Sequence, residues 1–173
     1  MAEAKLAIEK LLALEGSEYV EADAEAGPAR YGLTMRWLRA AGLADDPREI
    51  TRERAAEIYH EYWWKPLKLG AINDQVVAEA LLITAVNVGA ERCVRWWQQA
   101  LNAAGEDLRV DGRMGPQTIA ATNRSGRAAL GAFRTTVERF YRALAAREKY
   151  ARYARGWERR VRIAFGEDRC LPA

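Results

Sequence analysis

The apolar residues of this chain recur mostly at the spacing of one face of an α-helix. Ala4, Ile8, Leu11 and Leu12 follow an i, i+4, i+7 pattern, and Gly16 stands where that helix would end. The same spacing predicts helices over residues 34–41, 51–63, 74–88, 93–103 and 130–144, and a last helix from residue 157. Alternating strand patterns are almost absent. We therefore predict an all-α fold.

One segment departs from this helical pattern. Residues 17–30 show no periodicity and contain the Gly27-Pro28 pair, which is typical of a turn. The segment also holds four carboxylates, namely Glu18, Glu21, Asp23 and Glu25. It is predicted to be a loop or a short irregular hairpin.

A second break separates the predicted helices near residue 105. The sequence from Val110 to Ala121 contains an Asp-Gly turn, a further glycine and a proline suited to the first turn of a helix. We expect Gly112 and Gly115 to permit a tight turn, with a positive φ angle at Gly115, and Pro116 to begin a helix. The chain is thus divided into residues 1–104 and 105–173.

Composition narrows the class of protein. The chain has 173 residues, half of them hydrophobic and 29% charged, which is typical of a globular protein and excludes disordered and collagen-like chains. No stretch approaches the roughly 18 uninterrupted apolar residues of a membrane span, and no secretory signal is recognisable. Any role outside the cytoplasm is therefore expected to need another exit route.

Cysteine and histidine usage excludes several kinds of chemistry. Cys93 and Cys170 lie far apart, and His60 is the only histidine, so a zinc site, a disulfide scaffold and a Ser-His or Cys-His pair are not expected. Neither a metal nor a cofactor is implied. If the protein is an enzyme, its acid and base must come from carboxylates.

Charge is unevenly distributed. Residues 1–112 contain 13 Lys and Arg against 19 Asp and Glu, whereas residues 113–173 contain 14 against 5. The excess of Lys and Arg in residues 113–173 predicts a basic C-terminal surface that faces an anionic partner, such as nucleic acid, a membrane or the bacterial cell wall. The alternative is that these arginines only solvate the outer faces of helices.

Glu15 is the main candidate for acid catalysis. It lies on the same helix face as Leu11 and Leu12, at the helix end, where the negative end of the macrodipole and partial burial disfavour an ionised carboxyl. A general acid needs these conditions. The alternative is a helix-terminal glutamate that points into water.

A partner for Glu15 is expected from the acidic segment that follows it. Glycoside hydrolysis commonly uses two carboxyl groups about 5 to 9.5 Å apart. Glu18, Glu21, Asp23 or Glu25 could be the second group, and spacing alone does not choose among them.

Amide and aromatic residues suggest a sugar-binding surface. Asn87 falls on the apolar face of its predicted helix, where its amide would bond to the backbone or face a ligand. Tyr31 and the pairs Trp63-Trp64 and Trp96-Trp97 suit sugar rings as well as core packing. We expect one tryptophan of each pair to lie in the core.

These motifs together resemble the lysozyme-like N-acetylmuramidases of glycoside hydrolase family 108, also described as secretion activators or phage endolysins. The matching residues are Glu15-Gly16, Tyr19, Gly27, Tyr31-Gly32-Leu33-Thr34, Ala85–Gly89, Val110-Asp111-Gly112, Gly115–Thr118, Gly156-Trp157 and Arg160-Val161. Two departures stand out. Ser17 stands where the family has the second glycine of its first motif, and Glu18 precedes Tyr19. Ala29 stands where the family has a threonine whose hydroxyl can hold the attacking water.

The resemblance implies a lysozyme-like catalytic region over residues 1–104, with a helical peptidoglycan-binding region over 105–173 packed on it. It implies cleavage between N-acetylmuramic acid and N-acetylglucosamine, with Glu15 as proton donor. Asp23, and after it Glu21, is the expected second carboxylate. The expected substrate-binding residues are Tyr31, Asn87, Asp111 and Gly112.

The expected partner is bacterial peptidoglycan, without nucleic acid and without stable membrane insertion. The protein would reach the wall, in the periplasm or outside the cell, by export or holin-type release. One alternative is a wall-binding protein of the same fold with impaired catalysis, as Ala29 suggests. A second is a basic nucleic-acid binder, but no helix-turn-helix, zinc or RNA-binding signature supports it.

Overall fold

The computed structural model describes residues 1–23 and 27–167. Over these residues the α-helices are Ala4–Glu15 (α1), Met35–Ala40 (α2), Arg52–Tyr59 (α3), Gln75–Val88 (α4), Ala90–Ala103 (α5), Pro116–Ala145 (α6) and Ala154–Ala164 (α7). The strands are Val20–Asp23 (β1), Gly27–Arg30 (β2) and Leu33–Thr34 (β3). A π-helical turn, His60–Trp64, continues α3, and short 3-10 turns cover Leu69–Ala71 and Glu148–Tyr153. The predicted helical class is confirmed, with one small sheet added.

Local capping explains where several helices begin. The hydroxyl of Thr34 accepts a hydrogen bond from the backbone N–H of Trp37, and that of Thr51 accepts one from Arg54. Each threonine satisfies an N–H group that the first turn of its helix leaves free. Pro116 begins α6, as its fixed φ angle and missing N–H predict.

The acidic segment forms the short irregular hairpin. Strands β1 and β2 are antiparallel, with Val20 opposite Ala29 and Asp23 opposite Gly27, so the register is irregular between these pairs. Strand β3 adds to the other edge of β2. Glu25 lies outside the described residues.

Helix α4 occupies the centre of the core. Every residue from Val77 to Ala85 is buried, so this helix is enclosed on all sides rather than along one stripe. The one acidic residue in that stretch, Glu79, forms an ion pair with Lys10 of α1. Helices α1, α5, α6 and α7 all pack against α4.

The C-terminal helices return to the start of the chain. Helix α5 packs along α6, and α7 folds back over α4 and α6. Trp64 and Trp97 are buried while Trp63 and Trp96 are partly exposed, which confirms one core tryptophan in each pair. This arrangement brings the last helix within reach of α1.

One expectation about the 110–116 turn is wrong. Gly115 has a φ angle of −84°, ordinary extended backbone, and open space where a side chain would go. Gly112 has the positive φ angle, 77°, and a β-carbon there would lie 2.7 Å from Cγ of Glu91. The turn reverses at Gly112 because the loop passes directly over α5, whereas Gly115 only leads into α6.

Candidate active site

The Glu15 carboxyl lies at the C-terminal end of α1, with only 12% of its side chain exposed. Nη1 of Arg160 donates a hydrogen bond to its Oε1 over 2.7 Å. The Arg160 side chain is 14% exposed and comes from α7, 145 positions later in the chain. Arg160 of α7 is therefore the counter-charge of Glu15 in α1.

A tight backbone turn covers another side of the carboxyl. Tyr31 and Gly32 both have positive φ angles, 51° and 73°. A β-carbon on Gly32 would lie 2.5 Å from Oε2 of Glu15 and 2.9 Å from the hydroxyl oxygen of Tyr59. That hydroxyl donates a hydrogen bond to the Tyr31 carbonyl over 2.7 Å, which holds the turn in place. Only glycine fits at position 32.

The charges of Glu15 and Arg160 act on two buried tyrosines, Tyr59 and Tyr141. Burial raises the pKa of Tyr141 to about 12, with Arg160 acting to lower it and Glu15 to raise it. Burial also raises the pKa of Tyr59 well above its ordinary value, with the same two charges acting on it. Both phenols therefore stay neutral near pH 7. We call Glu15, Gly32, Tyr59, Tyr141 and Arg160 the Glu15 cluster.

Arg160 keeps its charge within this cluster. Burial works against the guanidinium, but the Glu15 carboxylate favours it, and the pKa of Arg160 is raised above its ordinary value. Burial and an adjacent cation act in opposite directions on a carboxyl. The sequence-based expectation for Glu15 included burial and the helix dipole but not this arginine.

Asn87 joins the edge of the cluster. Its Oδ1 accepts a hydrogen bond from the Tyr141 hydroxyl over 2.8 Å. The sequence analysis expected this amide to bond to the backbone or to face a ligand. Asn87 is exposed, because the enclosed part of α4 ends at Ala85, and its partner here is a side chain. Its predicted contact with substrate stays a prediction.

The hairpin carboxylates have a different environment. Glu21 forms an ion pair with Arg48 over 3.0 Å, and the two side chains are 76% and 62% exposed. Arg48 also donates a hydrogen bond to the hydroxyl of Tyr19. Asp23 ends β1 opposite Gly27. The hairpin thus holds Glu21 in a surface pair.

An aromatic surface continues from Tyr59. The ring of Trp63 lies 5.2 Å from that of Tyr59, and Trp37 stacks on Trp63 with the ring centroids 4.6 Å apart. Tyr62 meets Trp37 edge-on at 5.3 Å and is 39% exposed. Such rings can bind the flat face of a sugar. Sequence analysis had singled out Trp63 but not Trp37 or Tyr62.

Tyr31, Asp111 and Gly112 are engaged mainly within the protein. The Tyr31 ring is buried, and its backbone carbonyl is the part that faces the Glu15 cluster. Oδ1 of Asp111 accepts hydrogen bonds from Nε2 of Gln98 and from the backbone N–H of Arg113, which lower its pKa. Gly112 lies over α5. These last two residues belong to a separate loop.

The sequence analysis gave no site role to Arg160, Tyr59 or Tyr141, although Arg160 was among the residues that carry the family resemblance. For Arg160 a signal existed, because Trp157, Arg160, Val161 and Ala164 share i, i+3, i+4, i+7 spacing. An arginine on an apolar stripe must find a buried partner. The tyrosines gave no such signal, since a tyrosine at a core position is common.

Two family models match this chain. Residues 8–89 match the model described as glycosyl hydrolase 108, and residues 92–162 match that of a predicted peptidoglycan domain. Residues 8–89 belong to the glycosyl hydrolase 108 family. The solved structure of SagA from Brucella abortus is similar, with a TM-score of 0.72 and 22% identity over 97% of this chain and 98% of SagA. No curated protein gives a significant match.

The protein is thus a glycoside hydrolase with a peptidoglycan-binding region and a lysozyme-like helical fold, and its partner is peptidoglycan. The two family matches meet at the junction of α4 and α5. In residues 1–23 and 27–167 no helix has the length and apolarity to cross a membrane. The same residues contain no group of three His, Cys, Asp or Glu side chains that could hold a metal.

Proposed function

We propose that this glycosyl hydrolase 108 protein is a lysozyme-type N-acetylmuramidase that cleaves between N-acetylmuramic acid and N-acetylglucosamine. Glu15 would donate the proton to the leaving oxygen. The observation that carries the proposal is the enclosure of one carboxyl by fixed partners, because Arg160, Gly32 and Tyr59 surround Glu15 and leave 12% of it exposed. A general acid has to be held in place in this way.

The two carboxyl oxygens have different neighbours. Oε1 accepts the hydrogen bond from Arg160, whereas Oε2 lies close to the backbone of Gly32 and, within residues 1–23 and 27–167, accepts no hydrogen bond. We therefore assign proton donation to Oε2. A sugar bound over this oxygen would displace the remaining water, which favours the neutral, proton-donating form of a carboxyl.

For the second carboxylate we favour Asp23 over Glu21. The Glu21 carboxylate is paired with Arg48 at the surface, so its use in catalysis would require that ion pair to break. Asp23 stands at the end of β1, where the hairpin turns. Its role would be to activate water or to stabilise an oxocarbenium-like transition state.

A second candidate, a wall-binding protein with weak catalysis, is favoured by Ala29. This residue pairs with Val20 and Thr34 in the sheet and carries no hydroxyl. The nearby Thr34 hydroxyl already accepts the N–H of Trp37, so it does not replace the missing group. Ala29→Thr should then raise the lytic rate without changing wall binding.

Digestion of purified cell-wall sacculi tests the proposal. Released fragments should carry N-acetylmuramic acid as the new reducing end, detected by mass spectrometry after borohydride reduction. A new N-acetylglucosamine end would overturn the muramidase assignment. Binding of the wild type to sacculi with little or no released fragment, together with clear release by Ala29→Thr, would favour the second candidate.

A further inference from the structure

A polar cavity of about 280 Å³ lies between α5 and the loop that follows it. It is lined by Arg95, Arg109, Val110, Asp111 and Arg113. We call it the arginine pocket. Four of its five residues belong to the loop between α5 and α6, and Arg95 belongs to α5 itself.

Side-chain amides of α5 hold this loop in one shape. Asn102 both donates to the carbonyl of Leu108 and accepts from its N–H, each over 2.8 Å. Gln98, which is 1% exposed, accepts from the N–H of Gly112 and donates toward Asp111 and Arg113. The exposed loop is therefore pre-organised, which lowers the entropy cost of binding a ligand.

Two guanidinium groups of the pocket are available to a ligand. Arg95 pairs with Glu91 over 3.0 Å and donates to the Val110 carbonyl. Arg109 and Arg113 are exposed, and within residues 1–23 and 27–167 their side chains make neither an ion pair nor a hydrogen bond. Their charges help to lower the pKa of Asp111, so they lie near its carboxylate.

The arginine pocket has a net positive charge. Its three arginines outnumber the two nearby carboxylates, Asp111 and Glu91. The Oδ1 atom of Asp111 already accepts two hydrogen bonds, from Gln98 and from the backbone N–H of Arg113. Elsewhere arginines of α6 and α7 are neutralised, as in the pairs Arg124–Glu106 and Arg160–Glu15. The planar forks of Arg109 and Arg113 suit a carboxylate, which accepts two parallel hydrogen bonds.

A second, more apolar cavity of about 430 Å³ adjoins the first. Pro66, Leu67 and Met114 line it together with Lys68, and Arg113 lines both cavities. The two cavities together offer small apolar surfaces next to cationic groups. The peptide stems of peptidoglycan have the complementary chemistry, because alanine methyl groups alternate there with free carboxylates.

Position also suits a stem peptide. Asn87 lies at the edge of the Glu15 cluster, and Glu91, which pairs with Arg95 of the arginine pocket and lies against Gly112, is only four residues further on. Four residues span at most about 14 Å, which is less than the roughly 17 Å of an extended five-residue peptide. Asn87 and Glu91 are therefore closer together than the length of one stem peptide.

We infer that the arginine pocket binds a free carboxylate of the peptidoglycan stem peptide through Arg109 and Arg113. The inference rests on the proposed action on peptidoglycan and adds a recognition site for the peptide to the cleavage of the glycan. As a consequence, the protein should bind glycan strands that carry stem peptides more tightly than strands without them.

Direct binding tests the inference without using activity. A tetrapeptide with the stem sequence, the same peptide with its carboxylates amidated, and inorganic phosphate are titrated into the full chain and followed by calorimetry. The tetrapeptide should bind, and Arg109→Gln/Arg113→Gln should weaken it about 10- to 100-fold, the range for charge-assisted hydrogen bonds. The matched control is Arg139→Gln/Arg155→Gln, which removes two exposed arginines outside the pocket and should bind normally.

Equal binding of the amidated peptide, or phosphate binding as tight as that of the tetrapeptide, would overturn the inference. A second comparison uses lysis of intact sacculi and of glycan strands stripped of stems by an amidase. The Arg109→Gln/Arg113→Gln variant should raise KM on sacculi with little change in kcat, and match the wild type on stripped strands. If the wild type has no lytic activity, the proposed function fails while the titration still decides the pocket.

Discussion

Two arginine–glutamate pairs in this protein have similar distances but opposite environments. Arg160 and Glu15 meet over 2.7 Å with 14% and 12% of their side chains exposed. Arg48 and Glu21 meet over 3.0 Å with 62% and 76% exposed. The first pair joins the last helix to the first, whereas the second fastens a hairpin to a nearby loop.

The difference in burial means that the Glu15 carboxyl is fixed by its ion pair, whereas the Glu21 carboxyl is free to move. Removing one partner of a buried pair typically costs about 3–5 kcal/mol, because the other charge is left without compensation, whereas an exposed pair contributes about 0–1 kcal/mol. Glu15 is therefore held in one orientation. Glu15 lies in the glycosyl hydrolase match and Arg160 in the peptidoglycan-domain match, so the Glu15 cluster draws on both matched regions.

The largest expected effect is that of Glu15→Gln. It removes the transferable proton, and general acid catalysis contributes roughly 10²- to 10⁴-fold in rate. It also leaves the buried Arg160 without its counter-charge, so stability should fall by up to about 3–5 kcal/mol. Lysis of sacculi per folded molecule and thermal unfolding are measured on the same sample.

The double variant Glu15→Gln/Arg160→Gln separates these two losses. Removing both charges of a buried pair costs much less than removing one, so stability should recover relative to Glu15→Gln alone. Lysis should stay lost. A folded Glu15→Gln variant that lyses walls at the wild-type rate would contradict the catalytic role.

Arg160→Gln should have the next largest effect. It leaves the enclosed Glu15 carboxyl unpaired among the hydroxyls of Tyr59 and Tyr141, both neutral near pH 7, and should cost about 3–5 kcal/mol at pH 7. Lysis per folded molecule should also fall, because the pair holds the proposed proton donor in one orientation. Full lysis by a folded Arg160→Gln variant would mean that Arg160 has only a structural role.

Gly32→Ala tests the other side of the carboxyl. Its β-carbon would meet Oε2 of Glu15 at 2.5 Å, at a φ angle of 73°, so both lysis and stability should fall, the latter by about 1–3 kcal/mol. Gly42→Ala is the matched control, because Gly42 has the same φ angle but nothing within 4 Å. If both variants retain full lysis, crowding at Oε2 does not matter for catalysis.

The fold was largely predictable because local signals were strong. Helix periodicity, the helix starts near residues 34 and 51, and the end of α1 at Gly16 all agree with the structure. The φ angle of Gly115 was wrongly predicted, because Gly112 and Gly115 lie only three residues apart and look alike in sequence, although only Gly112 packs over α5. Local sequence does not encode which face of a turn another helix covers.

The site was less predictable than the fold. The position of Glu15 on the buried face of α1 followed from spacing, but its partner comes from a helix 145 positions away. Such long-range pairs are fixed by how helices pack, not by any pattern around either residue. The same holds for Tyr141, whose hydroxyl reaches Asn87 from α6. The assignment of Asp23 and Glu21 stays a prediction.

The smallest expected effect belongs to the surface pair. Arg48→Gln removes the partner of Glu21 in an environment where solvent screens both charges, so the melting temperature should stay close to that of the wild type. If Asp23 is the second carboxylate, lysis should also change less than about threefold, since the freed Glu21 takes no part in the reaction. Glu21→Gln should then behave like Arg48→Gln, while Asp23→Asn should lose most activity. A strong loss of lysis in Glu21→Gln, with full lysis in Asp23→Asn, would reverse the assignment. Glu21 would then be the second catalytic carboxylate in place of Asp23.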